Sequence, residues 1–103
     1  MPSSHFEQYV LHVSKPGALR AGINYYAAVW RDAEDNAKIR DRPLTQPALV
    51  MGGEVSMGPY MEAMWGGVVQ GELTVRTIPQ AGHWISDENP EFTACAISEF
   101  MRD

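Results

Sequence analysis

Pro47-Ala48-Leu49-Val50-Met51-Gly52-Gly53 decides the fold class. A short apolar run with no polar interruption, stopped by glycines, is what a strand covered on both faces looks like. Beyond it, Met57, Tyr60, Met61, Met64 and Trp65 recur at helical spacing until Gly66-Gly67 ends the pattern. Glu72 to Ile78 then alternates, with Leu73 and Val75 on one side, and predicts a second strand. Asp87-Glu88-Asn89-Pro90 marks a helix start, with Asn89 as cap and Pro90 at the first helical position. Phe92, Ala96, Phe100 and Met101 are expected to form the buried side of that last helix. The order strand–helix–strand–helix predicts two parallel strands joined by a right-handed crossover.

Upstream of Pro47 the chain reads as helix. Phe6, Tyr9, Val10 and Val13 share one face of a stretch that Ser3 or Ser4 can cap. Lys15-Pro16-Gly17 interrupts it, and Ser14 is expected to cap a second helix with Pro16 in its first turn. Leu19, Ile23, Tyr26 and Trp30 follow at spacings of four, three and four, one apolar stripe on that helix. Arg31 to Arg42 mixes charges around Ala33, Ala37 and Ile39 and predicts a solvated helix face ending before Pro43. The expected division is therefore a helical segment over 1–42 and a strand–helix–strand–helix segment over 43–103, one α/β domain overall.

Composition narrows the classes. The 103 residues carry 8 Lys+Arg against 13 Asp+Glu, a formal charge of −5, which removes the general attraction to phosphate backbones and argues against nucleic acid as a partner. A hydrophobic fraction of 45% with 20% charged residues is that of a folded chain rather than a disordered one. The single cysteine, Cys95, makes no internal disulfide or cysteine zinc site and is expected to be a buried, inert thiol. His5 and His12 are too far apart on their helix to share a metal as an i, i+4 pair. No apolar run approaches the about 18 residues of a membrane span, and no basic-then-apolar leader follows Met1. A soluble, cytoplasmic, reducing setting is the expectation.

Two parallel strands make a poor sheet by themselves, because parallel sheets sit between helix layers with several neighbours. The Ala48–Met51 strand is therefore expected to be completed by another copy of the chain or by a different chain.

Several segments together resemble one family. The strand ending in Gly52-Gly53-Glu54, the second strand, and above all Gly82-His83-Trp84 followed by Glu88-Asn89-Pro90 and a terminal helix are similar to the end of an α/β-hydrolase. Lys15-Pro16-Gly17-Ala18-Leu19-Arg20-Ala21-Gly22-Ile23-Asn24-Tyr25-Tyr26 resembles the final cap helix of the epoxide-hydrolase and haloalkane-dehalogenase branch. The resemblance runs through essentially the whole chain but corresponds to the C-terminal portion of the family. No G-x-S-x-G or G-x-D-x-G elbow is present, and Gly53-Glu54-Val55-Ser56-Met57-Gly58 has the wrong spacing for one. The resemblance thus implies a partial α/β-hydrolase that supplies the histidine base but no nucleophile, acting on a small hydrophobic substrate without metal or organic cofactor. Its partner would be a complementary hydrolase chain. The competing expectation is a non-catalytic, self-associating module of the same fold.

The resemblance implies roles for three residues. His83 stands after the last strand and before the last helix, where the family's histidine activates the water that cleaves a covalent ester; imidazole suits that step because it exchanges protons near neutral pH. The alternative is an inherited loop histidine with no nucleophile to serve. Glu54 is the candidate acidic partner, although the family often places its acid two residues further on, where this chain has Ser56; the other reading of Glu54 is a simple strand-end carboxylate. Tyr26 matches a cap tyrosine that donates a hydrogen bond to the epoxide oxygen, a task a neutral phenol performs on developing alkoxide. Its place on the Leu19–Trp30 stripe also suits a core aromatic, Tyr25 is its neighbour, and Ala27 stands where the family frequently has arginine.

Overall fold

Two strands run side by side in the same direction, β1 (Ala48–Gly53) and β2 (Leu73–Ile78), in register from Ala48 opposite Leu73 to Gly53 opposite Ile78. The structure, a computed structural model, describes residues 2–102; Met1 and Asp103, the outermost residues of the two expected segments, lie outside them. The chain forms two compact units, Met1–Asp41 and Arg42–Asp103.

In Arg42–Asp103 the pairing is extended by a bridge between Leu44 and Val69 and by Ala48 N–H donating to Glu72 O at 2.8 Å and Glu54 N–H donating to Ile78 O at 2.9 Å. Between the strands lie a single 3₁₀ turn, Gly58–Tyr60, and the short helix α4 (Met61–Trp65), which Gly66 ends. The glycines at the end of β1 answer a close approach. A Cβ on Gly52 would stand 2.6 Å from Gly58 N, and one on Gly53 would overlap the carbonyl oxygens of Ala81 and Gly82. Ala48 to Met51 are half-buried rather than covered on both faces as expected. The reason is geometric: β1 has one strand neighbour and a five-residue helix beside it.

The core consists of Val69, Ile78, Ala81 and Ala96 with Thr93, and Ile78 is fully buried. After β2 come one helical turn, α5 (Ile85–Glu88), and the terminal helix α6 (Pro90–Phe100). Asn89 caps α6 as expected, its side-chain oxygen accepting from Phe92 N–H at 3.2 Å, while its Nδ2 donates to Pro79 O at 2.9 Å and ties the helix to the end of β2. Thr93 satisfies its buried hydroxyl on Asn89 O at 2.8 Å, with Ile85 O at 3.1 Å as a second acceptor. The inward face of α6 runs Thr93, Ala96, Phe100, spaced i, i+3, i+7. Phe92 and Met101, expected inside, each fall one residue off that face and are exposed. Cys95 is off it too and is exposed, its Sγ donating to Glu99 Oε1 at 3.5 Å, which corrects the expectation of a buried thiol.

The described residues of Met1–Asp41 form three helices, α1 (Ser3–Val13), α2 (Ala18–Ala27) and α3 (Val29–Lys38). Pro2 rather than a serine is the cap residue of α1. Ser14 closes α1 instead of opening α2: its N–H donates to Val10 O at 3.0 Å, so it continues the first helix's ladder. The cap residue of α2 is Gly17, at φ +84, a left-handed conformation that glycine adopts without Cβ strain. The Leu19–Trp30 stripe does not ride one helix. Ala28 N–H donates to Tyr25 O at 3.3 Å, a tightened last turn that ends α2, so Tyr26 belongs to α2 and Trp30 to α3. None of the three helices contains a buried residue among those described. No helix of the described residues is long and apolar enough to cross a membrane.

Candidate active site

Both strands point their carboxyl ends to the same side, and the segment leaving β2 there carries His83. Crevices beyond the carboxyl ends of parallel strands are where open α/β sheets place their chemistry. The segment is tied down residue by residue. Pro79 O accepts from Asn89 Nδ2 at 2.9 Å. Gln80 takes φ +54, unusual for a side chain with a Cβ, and its N–H donates to Glu54 Oε2 at 2.9 Å. Ala81 is buried and its carbonyl accepts from Val55 N–H at 3.2 Å. Gly82 N–H and Trp84 N–H donate to one oxygen, Glu88 Oε2, at 2.7 and 3.2 Å. His83 lies between those two amides and is exposed, its ring meeting Trp84 edge-on with centroids 4.9 Å apart.

Of the residues singled out from the sequence, the structure brings Glu54 against the His83 segment, where its carboxylate accepts from the backbone of Gln80. Ser56 sits in the turn after β1, its N–H donating to Gly53 O at 3.0 Å. Tyr26 belongs to the helical unit, on α2, 76% exposed and in edge contact with Tyr25 at 5.9 Å. His12 Nδ1 lies 2.7 Å from Gln8 O on its own helix. No group of three metal-ligating side chains occurs among the described residues. Glu88 is what sequence reasoning missed. Its place in Glu88-Asn89-Pro90 was readable as a helix start, and a carboxylate one turn after Trp84 was the available signal that it could reach back.

No family model matches the chain. Epoxide hydrolase 3 of Mus musculus is 31% identical over 103 residues, covering 97% of this chain and 27% of that protein. The crystal structure of wild-type Cfl2 from Burkholderia cenocepacia superposes with a TM-score of 0.88 at 28% identity, over 97% of this chain and 34% of that one. The chain is similar to one part of an epoxide-hydrolase-like α/β-hydrolase. Soluble epoxide hydrolase of Corynebacterium is 34% identical over 95 residues, 91% of this chain and 32% of that protein. Epoxide hydrolase B of Mycobacterium tuberculosis is 30% identical over 87 residues, 77% of this chain and 23% of that protein. The chain thus spans between 23% and 32% of the length of these curated relatives. Its helices and parallel strand pair are a partial α/β fold, as the sequence predicts.

Proposed function

We propose that the chain supplies the general-base histidine, His83, of an epoxide-hydrolase-like hydrolase acting on a small hydrophobic substrate, with the nucleophile contributed by residues that are not among these 103. The observation that carries this reading is the exposed imidazole of His83 on a backbone-anchored segment at the carboxyl ends of two parallel strands. Relatives named epoxide hydrolase support the reaction class. In this mechanism His83 takes a proton from water, and the resulting hydroxide cleaves a covalent ester between substrate and nucleophile. Glu54 serves the segment through Gln80, and Tyr26 is assigned the hydrogen-bond donor role on resemblance.

The test is hydrolysis of small epoxides, haloacids and aryl esters. The chain is assayed alone and co-expressed with the residues of the Corynebacterium soluble epoxide hydrolase outside the matched stretch, each beside His83→Ala. Turnover is expected in the combination and reduced about 100-fold or more in His83→Ala, the usual scale of general-base catalysis. Turnover by the chain alone, or turnover indifferent to His83→Ala, overturns the proposal.

A second reading has its own observation. β1 pairs with β2 on one side, and beside it Leu44, Leu49, Met51, Met61, Trp65 and Val69 line an apolar groove of about 400 Å³. A self-associating, non-catalytic module would cover this groove with a second copy. Sedimentation of the purified chain then gives a dimer and the complementation assay stays silent.

A further inference from the structure

We propose that Glu88 is a positioning residue for His83, fixing the backbone from which the imidazole is presented; this rests on the reading of His83 as general base. One carboxylate oxygen, Oε2, accepts from the amides on either side of the histidine, Gly82 at 2.7 Å and Trp84 at 3.2 Å. A first-turn carboxylate that reaches back to the cap amide is ordinary helix capping and accounts for Trp84, the residue that opens α5. It does not account for Gly82. That amide lies two residues before the cap, outside the helix, and yet makes the shorter of the two bonds.

The surroundings fit a clamp. Gly82 lets the carboxylate come close, since a Cβ there would stand 3.3 Å from Glu88 Oε2. Glu88 is itself anchored, its N–H donating to Trp84 O at 2.9 Å, so side chain and main chain both close on the same residue. Asn89, Glu54 and Val55 hold residues 79–81, and Glu88 carries the restraint through 82–84. With the 81–82 and 83–84 peptides held by one carboxylate, the short span that carries the Cα of His83 is restrained at both ends, while the residue itself is exposed. Hydrogen bonds to an ionised carboxylate are the stronger kind, which suits a restraint made in an exposed loop.

Amide exchange on the purified chain tests this directly. Glu88→Ala is expected to speed exchange at both Gly82 and Trp84 by about tenfold or more, with Ile78 and Ala96 unchanged, and to broaden the His83 ring resonances. Glu88→Gln keeps one acceptor oxygen and is expected to restore most of the protection, which also covers the case in which the alanine variant misfolds. Acceleration at Trp84 with Gly82 unaffected reduces Glu88 to a helix cap and overturns the proposal, as does wild-type exchange at both. In the complementation assay Glu88→Ala is expected to lower kcat with KM unchanged, rescued by Glu88→Gln; undiminished kcat overturns the positioning role. Absence of turnover in every variant, with the exchange effect present, instead overturns the general-base reading and leaves the clamp standing.

Discussion

Residues 2–41 carry Phe6, Leu19, Ile23 and Trp30 on well-formed helices and bury nothing, whereas residues 42–102 bury Val69, Ile78, Ala81 and Ala96 around two strands. Both regions are amphipathic. The difference is where their hydrogen bonds go. A helix satisfies its backbone within itself, so its hydrogen bonds call for no second element even where its apolar stripe is exposed. A parallel strand has to find another strand across an intervening helix, and Ala48 meets Leu73 only because the segment between them folds back. Local pattern therefore makes elements, and burial is what makes one of these regions a core.

The sharpest way to break the comparison is at its centre. Ile78→Ala removes the one large side chain that is fully buried among the described residues and is expected to destabilise residues 42–102 by about 2–5 kcal/mol, read by urea unfolding of strand-region probes. A loss under about 0.5 kcal/mol, the surface-residue range, would mean that the core is not where burial places it. Gly53→Ala comes next. The new Cβ meets the carbonyls of Ala81 and Gly82, and overpacking against backbone is expected to cost about 1–3 kcal/mol, seen as a lower midpoint with unchanged denaturant slope. The smallest effect is expected at Leu19→Ala, 64% exposed on α2, within about 0.5 kcal/mol of wild type. A cost there comparable to Ile78→Ala would show that the helical stripe is covered in solution and erase the contrast between the regions.

Much of this was legible in the sequence because it is local chemistry. Ala48 to Met51 and Glu72 to Ile78 announce strands by run length and alternation, and Asn89-Pro90 announces a helix start by cap chemistry. Gly82-His83-Trp84 placed the histidine between the last strand and last helix, where it stands. What failed was choice between chemically similar options. Serine at 14 suits either end of a helix, and only the bond to Val10 O decides which. The spacing from Ile23 to Trp30 continues across Ala28 as if the helix did, since the break lies in one tightened backbone bond and leaves no mark on the side-chain pattern. On α6 the inward face is offset from Phe92 and Met101 by a single residue, below what periodicity resolves. The carboxylates of Glu54 and Glu88 were visible, but the amides they hold depend on the path of the loop through Gln80 at φ +54, which only the folded chain defines.

The glycines at the end of β1 have a mechanical consequence. Gly58 lies against Gly52 and Gly53, and Gly53 lies against Ala81 and Gly82, with backbone touching backbone at each step. A side chain between two segments can change rotamer and absorb a movement; bare peptide cannot. At these contacts no side-chain rotamer is available to absorb a shift of the turn after β1, and they reach the root of the segment that carries His83. The loop that carries His83 is thus seated, backbone on backbone, on the end of the other strand.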